Sequence, residues 1–328
     1  MKTLVTGSAG HLGEALMRTF RAMGRDAAGV DIAASPFTTN VGSIVDRAFV
    51  RRSMNGADIV LHAATLHKPH VATHSRQDFV DTNISGTLNL LEEAVAAGVK
   101  AFIFTSTTSA FGRALTPPVG APAAWIDEDV IPIPKNIYGV TKTAAEDLCA
   151  LFHARSRLPI VILRTSRFFP EEDDDPEMRA AYVDANIKAN EFLFRRVDVE
   201  DVVSAHLAAM ERAPAIGFRR YIISATTPFS RDDAAQLRRD APAVVERLVP
   251  EFAAEYARRG WKMFPSIERV YDNARARADL GWRPKYDFRH VVRRLAADKD
   301  PRSDLARAIG SKGYHDEVFA DGPFPTER

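Results

Sequence analysis

The chain has 328 residues, of which 46% are hydrophobic and 27% charged, the composition of an ordinary globular protein. Its 44 basic and 43 acidic side chains leave a net charge of +1, so no global field draws it to nucleic acid or to an anionic membrane. The single cysteine, Cys149, excludes an internal disulfide, and neither a signal-peptide core nor an apolar stretch of about 18 residues is present, so we expect a cytoplasmic protein.

The first half of the chain alternates short apolar runs with longer helical patterns, which is typical of βαβ units and a parallel sheet. One helical segment carries an apolar stripe of Val80, Ile84, Leu88, Leu91 and Ala94. The predicted strands are Lys2–Thr6, Ala27–Asp31, Asp58–His62, Ala101–Thr105 and Ile160–Leu163, and the predicted helices are His11–Met23, Phe79–Ala97 and Ile137–Ala154.

The pattern changes after Arg164, where residues 165–191 contain two prolines and the acidic run 171–175. Five adjacent carboxylates lack the spacing of a cation-binding loop, so we predict a solvated turn or a helix N-terminus. Further on, we predict a strand end plus helix at Val197–Ala209, a strand at Tyr221–Ile223 and mostly helical structure from Pro228.

These elements predict an α/β fold, a Rossmann-type doubly wound parallel sheet with a smaller, mostly helical C-terminal substrate lobe. We assign residues 1–164 and 192–225 to the nucleotide-binding domain and residues 165–191 and 226–328 to the lobe. No role is predicted for the polar tail Pro301–Arg328.

A glycine-rich turn, Thr6–Gly13, follows the first predicted strand and opens the first helix. Gly7 and Gly10 let the backbone turn sharply and approach a pyrophosphate, and Gly13 lets the helix pack closely on the sheet. Asp31, at the end of the second strand, is suited to the ribose hydroxyls of an adenosine and repels a 2′-phosphate. No arginine follows within 32–35 to hold that phosphate, so the sequence favours NAD over NADP.

Tyr138 and Lys142 are spaced to lie one turn apart on one face of a helix. A nearby ammonium favours the phenolate, so Lys142 is expected to lower the pKa of Tyr138 and make it a general base. A turn rich in hydroxyl groups, Ser106–Gly112, follows the strand Ala101–Thr105, at the edge of the sheet where ligands bind in such folds. A hydroxyl there can hold the substrate alcohol.

In this order the motifs resemble the extended short-chain dehydrogenase/reductases, a family that includes NAD-dependent sugar epimerases and dehydratases. The similarity extends from residue 1 to the Leu280–Pro284 motif. The matching positions are Gly7, Gly10 and Gly13, Asp31, His62-Ala63-Ala64, Asn83 with Gly86-Thr87, the Ser106–Gly112 turn, Tyr138 with Lys142, and Leu280–Pro284.

The resemblance implies that Tyr138 is the base, that Lys142 also binds the nicotinamide ribose, that Thr107 orients the substrate and that Asn83 steadies the backbone of the site. Expected cofactor contacts are Gly7, Ala9, Gly10, His11, Leu12, Gly13, Asp31, Ile44, Ala63, Ala64, Asn83, Tyr138 and Lys142. Expected substrate contacts are Thr65, Thr107, Thr108 and Arg167.

Some positions depart from the family pattern. Thr108 and Ser109 stand where dehydratases carry an Asp-Glu pair, which disfavours water elimination. Phe194 stands where nucleotide-sugar members place a pyrophosphate-binding arginine. Arg167 is suited to a substrate carboxylate or phosphate, or to a salt bridge with the acidic run.

Four histidines, His62, His67, His70 and His74, raise the question of a metal site. His62 belongs to the strand-end pattern, and the other three are irregularly spaced without a cysteine or a paired carboxylate nearby. We therefore expect no metal.

The resemblance implies an enzyme with tightly held NAD that oxidises a hydroxyl of a sugar-like substrate, and we favour an epimerase over a net dehydrogenase. A non-catalytic dinucleotide sensor is the alternative from another class, although such proteins commonly lack the tyrosine or the lysine. The sequence does not decide whether the sugar is nucleotide-linked or a free acid. A homodimer is expected through the helices Phe79–Ala97 and Ile137–Ala154 of each subunit.

Overall fold

A computed structural model of the chain describes residues 1–313, 317 and 319. Its main sheet has seven parallel strands in the order β3-β2-β1-β4-β5-β7-β8. These strands are β1 (Thr3–Thr6), β2 (Ala27–Asp31), β3 (Asn40–Val41), β4 (Ile59–His62), β5 (Ala101–Thr107), β7 (Ile160–Thr165) and β8 (Phe218–Ile223), and β6 (Ala124–Ile126) pairs in parallel with β9 (Arg269–Tyr271) in a separate small sheet.

Helices cover both faces of the main sheet, because its central strands are apolar on both sides. Ile59, Leu61 and Ile103 point to one core, whereas Val60 and Phe102 point to the other. The helices are α1 (His11–Ala22), α2 (Arg47–Met54), α3 (Arg76–Phe79), α4 (Gly86–Ala96), α5 (Ile137–Ser156), α6 (Pro176–Ala181), α7 (Asp184–Glu191), α8 (Val199–Ile216), α9 (Ala234–Leu237), α10 (Ala241–Leu248), α11 (Phe252–Arg259), α12 (Ala274–Leu280), α13 (Phe288–Ala296) and α14 (Asp304–Ile309). Helices α1 and α8 pack on the first core, and α2, α4 and α5 pack on the second. The doubly wound parallel sheet is thereby confirmed.

Several elements differ from the sequence expectation, and three of these differences have a clear structural cause. The helix predicted at Phe79–Ala97 has a π-helical segment at Val80–Ser85 between α3 and α4. Strand β5 runs two residues further than predicted, to Thr107, because Ser106 and Thr107 stay paired with Arg164 and Thr165 of β7. Helix α8 continues beyond Ala209 and ends at Gly217, whose φ of 75° closes the helix.

The C-terminal part of the chain is mostly helical, as predicted, and has its own apolar core. This core joins α7, α9, α10, α11 and α13 with β9. Helices α12 and α14 and the side chain of Trp282 instead pack on the first core of the main sheet. The boundary at residue 226 therefore assigns to the lobe two helices whose buried faces contact the nucleotide-binding domain.

Within the described residues, no helix is both long enough and apolar enough to cross a lipid bilayer. The tail predicted to begin at Pro301 is described through residue 313 and at positions 317 and 319, and the rest of it lies outside the described residues.

Candidate active site

The glycine turn lies between β1 and α1 and is enclosed by backbone at two of its three glycines. Gly7 has a φ of +76°, and a Cβ there would lie 2.7 Å from the backbone nitrogen of Ala64. A Cβ on Gly13 would lie 1.8 Å from the carbonyl oxygen of Gly7. Gly10 is more open, since its Cβ would meet the same oxygen at 3.4 Å. Gly10 is the N-cap residue of α1, and no side chain there accepts a hydrogen bond from the first turn of the helix. The turn therefore has the form of an anion-binding site at a helix N-terminus.

Asp31 lies at the carboxyl end of β2, beside this turn. Its carboxylate accepts hydrogen bonds from the backbone N–H of Ala9 at 3.0 Å and of Ala33 at 2.9 Å. Ile44 is buried nearby, against the start of α4, where a Cβ on Gly86 would lie 2.7 Å from its Cδ1. Asp31 is thus held in place with its charge next to the glycine turn, as recognition of a ribose requires.

His62, at the end of β4, fixes the backbone that faces the glycine turn. Its Nδ1 lies 2.8 Å from the hydroxyl of Thr6, and its Nε2 lies 2.9 Å from the hydroxyl of Thr87. Thr87 donates its own proton to the carbonyl of Asn83, so His62 Nε2 carries hydrogen and donates. Burial and the charge of Lys142 lower the pKa of His62 well below its usual value. The neutral ring therefore holds Thr6, whose hydroxyl accepts from Ala64 N–H at 3.1 Å.

Asn83 lies in the π-helical segment and is 2% exposed. Its Oδ1 accepts from the Thr65 hydroxyl and from Leu66 N–H, both at 2.9 Å. Its Nδ2 donates to the Leu66 carbonyl at 2.9 Å and to the Thr141 hydroxyl at 3.0 Å. Asn83 joins the loop after β4 to α5, which is the backbone-steadying position expected for it. The Thr65 hydroxyl, expected to contact substrate, is engaged in this network.

Thr107 is the last residue of β5, and its hydroxyl accepts from Ser109 N–H at 3.0 Å. Tyr138, on the first turn of α5, is 8% exposed and lies near enough to Thr107 for that side chain to lower the pKa of the phenol. Asn136 caps this helix by accepting from Gly139 N–H at 2.9 Å. The helix start therefore points the phenol at the carboxyl edge of the sheet, beside the buried Thr108.

Lys142 lies one turn after Tyr138 and faces the same strand. Its Nζ donates to the carbonyl of Thr105 at 2.7 Å and lies 4.0 Å from the centre of the Phe104 ring. Burial lowers the pKa of Lys142 to about 7, against an opposing effect of Glu146. Glu146 is itself buried and paired with Arg164 at 2.7 Å.

The expected lowering of the Tyr138 pKa by Lys142 is wrong for this structure. Burial raises the pKa of Tyr138 to about 12, and the hydrogen bond with Thr107 lowers it only in part. The reason is that desolvation of the phenolate is the largest effect, while the ammonium of Lys142 is directed at Thr105. With a pKa this high, the phenol of Tyr138 is protonated near neutral pH.

The ring of His67, a residue with no role assigned from the sequence, lies near those of Tyr138 and Phe169. The ring of His67 lies 6.5 Å from that of Tyr138 and 6.4 Å from that of Phe169, measured between centres. Burial and the charges of His70, His11 and Lys142 lower the pKa of His67 well below its usual value. The sequence feature that could have indicated His67 is its place on the loop just after the His62-Ala63-Ala64 motif. Within the described residues, no group of three or more His, Cys, Asp or Glu side chains is arranged to hold a metal ion.

Arg167 is placed against acidic side chains. Its guanidinium contacts the carboxylates of Asp173, Asp174 and Glu191, the last two at 3.0 and 3.1 Å. This is the salt bridge with the acidic run, one of the two alternatives for this residue. The prediction of a solvated turn or a helix N-terminus holds only in part, because Glu172 and Asp175 are exposed whereas Asp173 is 4% exposed and paired with arginines. Asp175 does cap a helix, accepting from Glu177 N–H at the start of α6.

The beginning of the C-terminal tail crosses the start of α1. His11 Nε2 lies 3.1 Å from the carbonyl oxygen of Gly310 and 3.2 Å from a carboxylate oxygen of Glu171. Glu171 also accepts from the Ser311 hydroxyl at 2.8 Å. Burial opposes ionisation of Glu171, but the hydrogen bonds from His11 and Ser311 lower its pKa to about 2. His11 thus links the glycine turn to the tail, and Leu12, the next residue, is buried in the first core.

The edge of the sheet therefore combines three chemical functions. The turn Gly7–Gly13 is shaped for a phosphate, Asp31 for a ribose diol, and the Tyr138–Thr107 pair for proton transfer at an alcohol. Lys142 places a titratable ammonium beneath them.

Comparison with known proteins gives a consistent result. The family model described as "NAD dependent epimerase/dehydratase family" matches residues 3–223. The chain is 26% identical over 265 residues to a UDP-glucose 4-epimerase of Rhizobium leguminosarum bv. trifolii, covering 71% of this chain and 75% of that protein. It is 30% identical over 176 residues to an NAD-dependent glucose-6-phosphate dehydrogenase of Haloferax volcanii, covering 49% of this chain and 66% of that one.

Among solved structures, the fold is similar to a short-chain dehydrogenase/reductase superfamily protein of Agrobacterium tumefaciens with bound NAD. The TM-score is 0.65 at 23% identity, and the match covers 94% of this chain and 97% of that one. The similarity extends over both the main sheet and the C-terminal lobe.

Proposed function

Because the chain belongs to the NAD-dependent epimerase/dehydratase family, we propose that it oxidises a secondary alcohol of a sugar or nucleotide sugar and then reduces the ketone again, as an epimerase does. The observation that carries this proposal is the position of the buried Tyr138 at the first turn of α5, near Thr107 at the carboxyl end of β5, with Lys142 one turn later donating to the carbonyl of Thr105 on the same strand. The similarity to the UDP-glucose 4-epimerase of Rhizobium leguminosarum bv. trifolii supports an epimerase reaction.

The residues present fit NAD. Because Gly7 and Gly13 have no side chains, neighbouring backbone packs directly against them and forms the tight turn that a pyrophosphate requires, and Asp31 is held beside this turn. Bound NAD supplies the acceptor and donor of hydride. Ala63 and Ala64 line the turn opposite Gly7, and Asn83 holds the neighbouring loop.

Proton transfer is the task of Tyr138 and Thr107. The hydroxyl of Thr107 orients the substrate hydroxyl, the phenolate form of Tyr138 takes the alcohol proton during oxidation, and the phenol so formed returns that proton during reduction. A pKa of about 12 suits the returning step, since the phenol is then fully protonated. The taking step needs positive charge near the phenolate, and Lys142 is the nearby side chain that provides it when protonated. Its pKa of about 7 makes that charge sensitive to neutral pH.

A net dehydrogenase acting on a free sugar or sugar acid is the second candidate. It is favoured by Phe194, which stands where nucleotide-sugar members carry a phosphate-binding arginine, and whose side chain is buried in the lobe core. The similarity to the NAD-dependent glucose-6-phosphate dehydrogenase of Haloferax volcanii also supports it.

One assay separates these two reactions. The protein is incubated with NAD and a panel of sugars, sugar acids and nucleotide sugars, and nicotinamide absorbance is followed. Interconversion of the substrate without net NADH indicates an epimerase, and growth of NADH indicates a dehydrogenase.

Tyr138→Phe tests the catalytic assignment itself. We expect a loss of about 10²–10⁴-fold in turnover, the range for removal of a general acid–base group, with NAD affinity retained. Tyr286→Phe, a tyrosine outside this site, is the matched control and should keep turnover. Full turnover in Tyr138→Phe would contradict the proposed function.

The proposal includes a cytoplasmic homodimer, formed through the outer faces of α4 and α5. Val95, Val140 and Leu151 on these helices are 39%, 49% and 44% exposed, and Leu88 is half-buried. Two copies of such a helix pair can bury these side chains in a four-helix interface. Light scattering of the wild type and of Leu151→Arg tests this, since the charged variant should shift the mass towards the monomer.

A further inference from the structure

A buried carboxylate on α5 has no part in the proton transfer proposed above. Glu146 is 1% exposed and lies one turn beyond Lys142 on the same helix. A charge taken out of water is costly unless it is paired and hydrogen-bonded, so the groups that hold this carboxylate in place indicate its role.

Two arginines from neighbouring strands hold Glu146. Arg164 on β7 donates from Nη2 to Oε2 at 2.7 Å and from Nε to Oε1 at 3.0 Å. Arg220 on β8 donates from Nε to Oε2 at 2.9 Å. The side chain of Arg164 is 4% exposed, and its Nη1 has no hydrogen-bond acceptor among the described residues. Glu146 is thus fixed from two strands at once and answers two positive charges with one negative charge.

The same carboxylate reaches the strand that carries Thr107. The hydroxyl of Ser106 donates to Glu146 Oε1 at 2.6 Å, and Nζ of Lys142 donates to the carbonyl of Thr105 at 2.7 Å. Two side chains one turn apart on α5 therefore hold consecutive residues of β5, directly before Thr107. A change at Glu146 is expected to act on the end of this strand and on Lys142.

Glu146 also supplies negative charge to the surroundings of Lys142. Burial opposes ionisation of Glu146, but the hydrogen bonds and the charge of Arg164 lower its pKa overall. Burial lowers the pKa of Lys142 to about 7, and the charge of Glu146 raises it in opposition. The carboxylate and the ammonium therefore favour each other's charged form.

Five other titratable side chains lie around Lys142 and Thr105 and are uncharged near pH 7, because burial shifts the pKa of each in favour of its neutral form. They are Tyr138 and Cys149 on α5, His62 on β4, His67 on the loop after β4, and His206 on α8. The charges that decide the proton on Lys142 near neutral pH are accordingly those of Glu146 and its two arginines.

We propose that Glu146 is a positioning residue of the reaction: held by Arg164 and Arg220, its carboxylate fixes α5 against the end of β5 and keeps Lys142 in its ammonium form. The ammonium stabilises the phenolate of Tyr138, so Glu146 acts on the proton transfer through Lys142. The arginines act in the opposite direction, since each adds positive charge that favours the neutral amine. This inference rests on the proposed function, because it concerns the base of that reaction.

The first test follows the proton on Lys142 without any turnover. The NMR shift of the ε-carbon of isotope-labelled lysine is measured against pH in the purified protein, and the signal of Lys142 is assigned by its absence from Lys142→Met. Glu146→Gln should move this titration to lower pH by about one pH unit or more, because a nearby opposite charge is lost. Arg220→Gln should move it to higher pH. Glu211→Gln, at a glutamate 62% exposed on α8, is the matched control and should leave it in place.

The second test is turnover against pH, with whichever of UDP-glucose and glucose 6-phosphate the wild type converts. The ratio of kcat in Glu146→Gln to that in the wild type should fall about tenfold from pH 5 to pH 8, because Lys142 is charged in both proteins only at the lower pH. The same ratio should rise for Arg220→Gln, and Glu146→Asp, which keeps the charge, should restore the wild-type profile. A carboxylate that only braced the fold would lower turnover by one factor at every pH.

The inference is overturned if the Lys142 titration stays in place in a folded Glu146→Gln, or if it moves in the same direction in Glu146→Gln and Arg220→Gln. Should Glu146→Gln fail to fold, Arg220→Gln decides alone, since its side chain is 29% exposed and its loss leaves the Glu146–Arg164 pair intact. An unchanged or lower titration there would count against the inference. Opposite shifts in a protein that converts no sugar would sink the proposed function alone and support the link between Glu146 and Lys142.

Discussion

Two glycines of the same turn should respond differently to alanine. A Cβ on Gly13 would lie 1.8 Å from the carbonyl oxygen of Gly7, where real Cβ atoms stay beyond 3.0 Å. Gly7 cannot easily retreat, because its N–H donates to Val30 at 2.8 Å and its own α-carbon faces Ala64. A Cβ on Gly10 would meet the same oxygen at 3.4 Å, an ordinary contact.

The expected cost of Gly13→Ala is at the upper end of the about 1–3 kcal/mol typical of overpacking, since backbone must move. At roughly 2–4 °C per kcal/mol, that lowers the melting temperature of the unliganded protein by roughly 6–12 °C. Gly10→Ala should leave that temperature within about 2 °C of the wild type. It should still weaken NAD binding by about tenfold, or ~1.4 kcal/mol, because its methyl group occupies the approach to the pyrophosphate.

Differential scanning fluorimetry without NAD measures the stability of both variants, and calorimetric titration with NAD measures their affinity. The distinguishing outcome is a stability loss confined to Gly13→Ala and an affinity loss without a stability loss in Gly10→Ala. If Gly13→Ala melts with the wild type, the packing of the turn is not as described. If Gly10→Ala binds NAD as the wild type does, the phosphate lies elsewhere.

Three further changes test the surrounding site. Asp31→Asn keeps an acceptor for Ala9 N–H but removes the negative charge of the side chain. Titration with both dinucleotides should then show the ratio of NADP to NAD affinity rising at least about tenfold. An unchanged ratio would count against Asp31 as the residue that selects NAD over NADP. The pKa of Lys142 is about 7 in the folded state, below its value in the unfolded state. Between that pH and about 10 the folded state therefore binds fewer protons than the unfolded state, and this group makes the free energy of unfolding rise with pH. Lys142→Met should therefore show its largest gain in melting temperature relative to wild type below pH 7, shrinking towards pH 10, and a constant difference would refute the assignment. Asn83→Asp removes both Nδ2 donors and should lower the free energy of unfolding in urea by about 2 kcal/mol or more, whereas Asn89→Asp on α4 should cost less.

Several features of the site followed from local sequence. The glycine turn, Asp31 and the Tyr138–Lys142 spacing each depend on residues close together in the chain, and the structure places them at one edge of the sheet. Helix and strand types were also predictable, because apolar periodicity is local. The ends of β5 and α8 were not predicted. Strand β5 ends where its pairing with β7 ends, and α8 ends where Gly217 caps it.

Other features depended on contacts between distant parts of the chain. The acidic run is charged and polar by composition, yet Asp173 is buried, because it is paired with Arg167, which precedes it in the chain, and with Arg195, which follows it. Arg195 and Arg269, whose buried Nε atoms have no hydrogen-bond acceptor among the described residues, are over seventy positions apart and come together where Tyr271 of β9 donates to the carbonyl of Phe194. No local pattern marks such a pair.

The sequence by itself determined the order of strands and helices, the dinucleotide turn and the identity of the phenol and ammonium groups. Only the tertiary structure decided their ionisation, because a pKa depends on how completely the fold removes water from a group and which charges it places nearby. Burial raises the pKa of Tyr138 to about 12, opposite to the lowering that its spacing from Lys142 led us to expect, and burial lowers the pKa of Lys142 to about 7.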